Sequence, residues 1–226
     1  EEGDTLRRDH RVQITFEQSA RFGQAVLMRI AHLADIHVRG LTRHDEIRTV
    51  IEAFCKSARE RQVDVIVIAG DIWHTKTTGL SPESIELMTW MFREMIAVAP
   101  TYVTLGNHDG ALTNLTRPDA ISPSVEAIND PRLILCKKSG MWMIAGGVWL
   151  CVYSLFDKEN WHKVKPNVGE YNIAVYHGSV GGAVSEDGWV LKAETTVQFF
   201  EEQGYDIVLL GDIHKQQYLG YREFEE

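Results

Sequence analysis

Five short apolar runs each lead into side chains able to bind a metal ion. Leu33-Ala34 runs into Asp35-Ile36-His37, and Ile68-Ala69-Gly70 into Asp71. Leu105-Gly106 precedes Asn107-His108-Asp109, Val175-Tyr176 precedes His177-Gly178, and Leu210-Gly211 precedes Asp212-Ile213-His214. A lone aspartate after a strand is ordinarily a turn or cap residue. Five such ends are hard to assign to turn chemistry, and in open α/β folds sites form just beyond the carboxyl ends of the strands. Mixed oxygen and imidazole donors suit a borderline divalent ion such as manganese, iron or zinc. A carboxylate shared between two ions allows a pair roughly 3.5–4 Å apart. Such a pair neutralises phosphate oxygens and lowers the pKa of a bound water to roughly 7, so hydrolysis of a phosphate ester is what this set of donors does well.

The elements that must position these residues alternate. Residues 29–34 read as a strand, and 45–61 as a helix with Ile47, Val50, Ile51, Phe54, Cys55 and Ala58 on one apolar face. Residues 64–69 carry Val-Ile-Val-Ile, the continuous apolar run of a strand buried on both sides. Ser81 is placed to cap a helix with Pro82 at its first position, and Ile85, Met88, Met91, Phe92 and Met95 form its inner face. A strand follows at 101–105. The second half is richer in strands: 132–136, 141–145 and 148–155, with Gly146-Gly147 as a hairpin turn, then 171–176 and 206–210, with a helix at 195–203 between the last two. Strand–helix alternation followed by hairpins predicts an α/β sandwich of two sheets with helices outside.

A chain of 226 residues is enough for one domain with a sizeable core. Its 44 % hydrophobic and 24 % charged content is that of a globular protein. The formal net charge of −9 gives no electrostatic advertisement of nucleic-acid binding, but an acidic protein can meet phosphates through bound cations. No apolar run reaches the roughly 18 residues of a membrane span, and the charged start lacks the pattern of a signal peptide, so a cytoplasmic setting is the default. Cys55, Cys136 and Cys151 stand singly and read as small buried apolar residues. Residues 1–27 differ in pattern from the rest of the chain, and Met28 opens the first well-patterned segment. They are read either as a leader or extension or as an arm packed on the domain, with residues 28–226 as the catalytic unit.

Taken together, Asp35-Ile36-His37, Gly70-Asp71, Gly106-Asn107-His108-Asp109, His177 and Gly211-Asp212-Ile213-His214 resemble the calcineurin-like metallophosphoesterase superfamily, whose motifs run D-x-H, G-D, G-N-H-D/E, a lone H and G-H-x-H. Within it the details look like the SbcD-type nuclease subunit of DNA break-repair complexes, phage and viral relatives included. His74 follows the shared aspartate by three residues, the stretch from Asn114 to Pro123 is similar to that of phage-type members, and Gly211 to Gln216 resembles the closing G-H-I-H-x-x-Q. The resemblance implies a β-sandwich of two mixed sheets flanked by helices, with two divalent ions, manganese first and iron, zinc or magnesium as alternatives. One ion takes Asp35, His37, Asp71 and His214, and the other Asp71, Asn107, His177 and Asp212. His108 then stabilises or protonates the leaving group, and His74 orients the nucleic acid or leaving group. DNA as substrate, an SbcC-type ATPase partner, a homodimer and a bacterial or phage-infected cell are further expectations of the family. Two departures stand out: Asp212 replaces the more usual histidine, and the chain ends where relatives continue into a DNA-contacting cap. A general phosphoesterase acting on nucleotides or phosphoproteins, or a non-catalytic scaffold, are the alternative readings.

Overall fold

The computed structural model describes residues 13–15, 28–74 and 80–220. Two sheets carry the strands. The first has the order β1 (Gln13–Thr15), β2 (Arg29–Leu33), β3 (Val65–Ala69), β4 (Thr101–Thr104) and β5 (Leu133–Cys136). Strands β2 to β5 are parallel, and β1 joins the edge antiparallel to β2. The second sheet has the order β6 (Gly140–Ala145), β7 (Val148–Tyr153), β8 (Tyr171–His177) and β9 (Ile207–Gly211). Here β6 and β7 form the expected hairpin, turning at Gly147 with φ 75°, while β7, β8 and β9 are parallel.

The alternation of side chains along each strand divides the apolar residues between three layers of core. In β3, Ile66 and Ile68 face helices α1 (His44–Glu60) and α2 (Pro82–Ile96), whereas Val65, Val67 and Ala69 face the second sheet. The latter meet Leu150 and Val152 of β7 and Ile173 and Val175 of β8. On the far side of the second sheet, Cys151, Tyr153, Ala174 and Tyr176 pack with Phe200 of α4 (Val197–Gln203) and with Tyr205 and Val164. The result is the expected sandwich, helices outside two facing sheets.

Ser81 caps α2, its side chain accepting from the Ser84 N–H at 3.2 Å. Val50 is 61 % exposed, because the buried stripe of α1 runs through Ile51, Phe54, Cys55 and Ala58 and Val50 lies one residue off it. Ile85 is 40 % exposed, since the buried position in that turn of α2 goes to Ser84. The run expected to reach Leu155 stops at Tyr153, where the Ser154 hydroxyl accepts from the Phe156 N–H and starts a 3₁₀ segment over Leu155–Lys163. The short helix α3 (Ser122–Ile128) was not legible as a helix. Its first turn is capped from outside: the buried Asp119 carboxylate accepts the N–H groups of Ile121 and Ser122, at 2.9 and 2.6 Å.

All five chemistry-bearing ends sit at the carboxyl ends of parallel strands: β2, β3 and β4 in one sheet, β8 and β9 in the other. Strand β3 packs across the sandwich against β8 and β9, which brings the two sets of ends together.

Candidate metal centre

The chain turns sharply as it leaves these strands. Gly70 has φ 84° and Asp71 φ 53°, and Asp35, His37 and Asp212 also lie in the left-handed region at 55°, 51° and 74°. Each non-glycine residue there costs on the order of 1–2 kcal/mol, so four at one place concentrate strain where side chains must converge. Hydrogen bonds hold the turns. The loop after β2 tracks the loop after β3 through Asp35 N–H to Gly70 O and His37 N–H to Asp71 O, both 3.1 Å. The Asp212 N–H reaches both carboxylate oxygens of Asp35, at 3.0 and 3.1 Å. A Cβ on Gly106 would run into the Asp71 carboxylate, so only glycine lets β4 end this close.

Asp71, 1 % exposed, lies at the centre. Its Oδ1 accepts the His108 N–H at 2.8 Å and lies 3.3 Å from His177 Nε2; its Oδ2 lies 3.9 Å from both His37 Nε2 and His108 Nε2. On one side, His37 Nε2 and His214 Nε2 approach to 3.2 Å, with Asp35 Oδ1 at 3.9 and 3.7 Å from them. On the other, His177 Nε2 lies 4.0 Å from Asp212 Oδ1, which accepts from Asn107 Nδ2 at 3.0 Å. Three overlapping groups therefore offer donor atoms within 4.8 Å of one another: Asp35, His37 and His214; His37, Asp71 and His108; and Asp35, Asp71 and His177.

These residues fit divalent ions. The buried His177 Nε2, which faces Asp71 and Asp212, makes no hydrogen bond of good geometry, and an ion there would give it a partner. A carbonyl oxygen can only accept, so the 2.7 Å contact from His177 Nδ1 to Ala69 O puts a proton on Nδ1 and turns Nε2 inward, the usual outer support of a ligating histidine. Without an ion, burial pushes the His177 pKa down, but the Asp71 carboxylate, the Ala69 carbonyl and Asp35 outweigh it and hold it at about 9. Burial also raises Asp71, and there His177 and the His108 N–H win, holding the carboxyl below its ordinary range. Burial raises Asp35 and lowers His37.

The seven expected ligands, Asp35, His37, Asp71, Asn107, His177, Asp212 and His214, thus meet in one place. His108 stands beside them, its side chain 40 % exposed, with Nδ1 donating to the His74 carbonyl at 2.6 Å and Nε2 facing Asp71. The His74 ring is stacked 6.4 Å from that of His108 and lies 5.6 Å from that of His37.

The calcineurin-like phosphoesterase family matches residues 28–216. The chain belongs to that family. "Uncharacterized protein R555" of Acanthamoeba polyphaga mimivirus is 38 % identical over 207 residues, covering 84 % of this chain. The DNA double-strand break repair proteins Mre11 of Methanosarcina mazei and Archaeoglobus fulgidus are each 32 % identical, over 87 and 89 residues, covering 36 % of this chain. The chain spans only 15 %, 14 % and 19 % of the lengths of these three relatives.

For a calcineurin-like phosphoesterase, several supporting groups had no individual signal in the sequence. Asp109, 0 % exposed, accepts the N–H groups of Trp73 and Gly106 at 2.9 Å each and so clamps the β3 and β4 loops together; burial pushes its pKa up to about 7. Its place in the G-N-H-D run marked it, but not what it binds. Ser179 donates to Asp212 Oδ2 at 2.8 Å, and only its spacing two residues after His177 could have drawn attention. Lys137 pairs with the buried Asp119 at 2.7 Å. The indoles of Trp149 and Trp161 bond to Glu170 and to the Ser154 carbonyl, Trp142 packs on the inter-sheet core, and Trp189 is 76 % exposed. His44 Nε2 contacts the Arg39 carbonyl at 2.7 Å, His32 is a partly buried strand residue, and all three cysteines are buried and free. Among the described residues no helix is long and apolar enough to cross a membrane.

Proposed function

We propose that this domain is a two-metal phosphodiesterase that cleaves DNA, as the nuclease partner of an SbcC-type ATPase subunit and as a homodimer. The observation that carries the hydrolytic reading is the meeting of five strand ends around Asp71, with the part-buried His108 at its edge. The step to DNA is supported by the local likeness to the two archaeal Mre11 proteins.

Asp35, His37, Asp71 and His214 would hold one ion, and Asp71, Asn107, His177 and Asp212 the other, with manganese the preferred metal. When bound, such ions supply Lewis acidity, neutralising phosphate charge and making hydroxide available near neutral pH. The chain's own residues supply position and protons. Because Nδ1 of His108 donates to the His74 carbonyl, its proton exchange is confined to Nε2, which faces Asp71 and solvent together. Protonated there, His108 donates to the leaving oxygen; as a hydrogen-bond donor it also steadies the charge growing on the phosphoryl group. His74 lies behind it, where its ring orients the leaving strand and its carbonyl sets the His108 tautomer.

The test is manganese-dependent cleavage of a labelled DNA by wild type, His108→Ala and Asp71→Ala, with bis-p-nitrophenyl phosphate as generic diester. Cleavage of both substrates by wild type, with His108→Ala slower by about 10²–10⁴-fold, is the expected result. Hydrolysis of the small ester without DNA cleavage refutes DNA as substrate and favours a phosphoesterase of smaller molecules. Inactivity on both, with no metal bound, refutes the hydrolytic reading.

A further inference from the structure

Asp212 stands where the resemblance calls for an imidazole, and the structure surrounds it with donors. Ser179 donates through Oγ to Oδ2 at 2.8 Å, and Asn107 donates through Nδ2 to Oδ1 at 3.0 Å. A carboxylate only accepts, so its contact with Asn107 settles which way round that amide lies. The NH₂ group faces Asp212 and the amide oxygen is turned away from it. Ser179 is itself held close: the neighbouring Gly178 N–H bonds to the Gly211 carbonyl at 3.4 Å, which joins the chain after β8 to the end of β9.

Resting on the two-ion reading above, we infer that Ser179 is a positioning residue that fixes Asp212 for its ion and makes the two ion positions chemically unequal. The Asp212 position offers three oxygen donors, from Asp71, Asn107 and Asp212, and one nitrogen, from His177. The other offers two oxygens, from Asp35 and Asp71, and two nitrogens, from His37 and His214. Carboxylate and amide oxygens suit manganese and magnesium, whereas imidazole suits zinc, so the ratio of zinc to manganese affinity is lower at the Asp212 position. Without the Ser179 hydroxyl, Oδ2 loses its hydrogen bond and the carboxylate is held from one side alone, by Asn107 at Oδ1, so it is poorly fixed for its ion. Outer groups of this kind are typically worth about 10–100-fold in metal affinity.

The experiment titrates the chain with Mn²⁺ and with Zn²⁺, using calorimetry for both and electron paramagnetic resonance for Mn²⁺. Wild type, Ser179→Ala, Ser179→Thr and Asp212→His are compared, with circular dichroism as the check on folding. Wild type binds two ions. Ser179→Ala weakens one Mn²⁺ position by about 10–100-fold and leaves the other unchanged, and Ser179→Thr, which keeps the hydroxyl, restores it. Asp212→His raises the zinc-to-manganese ratio at that same position by about tenfold or more. Equal weakening of both positions, no weakening, no rescue by threonine, or an unchanged ratio in Asp212→His each overturns the inference while the two-ion reading stands. A wild type that binds fewer than two ions overturns the two-ion reading, and this inference with it.

Discussion

On the two-ion reading, a metal ion entering this site would first have to displace a proton from His177. The ring is 1 % exposed, and its Nδ1 proton is committed to the Ala69 carbonyl at 2.7 Å. Burial alone would lower its pKa, but Asp71, with an oxygen 3.3 Å from Nε2, and the groups behind it push it up to about 9. A second proton on Nε2, the atom that faces Asp71, is therefore the expectation for the metal-free protein at neutral pH. A ligating imidazole must be neutral, so metal binding at pH 7 releases this proton. The gap of about two pH units from pH 7 lowers the apparent affinity about 100-fold, or about 3 kcal/mol, relative to the deprotonated ring. Affinity should then rise about tenfold per pH unit up to about pH 9 and flatten above it. Calorimetric titration with Mn²⁺ at pH 7, in buffers of different ionisation enthalpy, should show close to one proton released. In Asp71→Asn the charge that holds the proton is gone, and the His177 resonance of the metal-free protein should titrate well below its wild-type position. The same group links to stability. Its folded pKa lies above the ordinary 6.5, so its contribution to the metal-free fold is complete below about pH 6.5 and is lost as pH rises through about 9. The ceiling is about 3 kcal/mol, and the coupled shift of Asp71 is the same interaction and is not added again. A pH-independent affinity with no proton release, or a His177 that titrates at or below 6.5 in the metal-free wild type, refutes the reasoning.

Two further substitutions test the scaffold. Gly70→Ala places a Cβ 2.7 Å from His177 Cγ and 2.8 Å from the Gly106 backbone at φ 84°, so it should destabilise by about 2–4 kcal/mol and weaken metal binding; chemical denaturation near wild-type stability would count against so tight a junction. Asp109→Ala leaves the N–H groups of Trp73 and Gly106 without their acceptor in a dry interior and should cost about 2–5 kcal/mol in the same assay, with no loss if the clamp is unimportant.

The apolar run Val65–Ala69 was legible because it has a core on either side, and no polar alternation confuses its reading. The candidate ligand residues stood out because glycine, carboxylate and imidazole at five successive strand ends have no common explanation in turn chemistry. Val50 was misread because apolar type cannot say where a helix's stripe has its edge. The helix at Ser122–Ile128 was missed because its capping carboxylate, Asp119, lies three residues upstream of where the helix begins.

What the sequence determined by itself is the inventory of donors and their local geometry, since the turn after a strand and the residue types beyond it are written in adjacent positions. Only the tertiary structure decided how those donors are oriented and charged. The Ala69 carbonyl that turns His177 lies 108 residues away, the Asp109 clamp reaches 36 residues to Trp73, and Asp212 is tied to Asp35 across 177. Those hydrogen bonds exist because two sheets face one another with their strand ends aligned, and no pattern of neighbouring residues encodes which distant carbonyl or amide will arrive at a given ring.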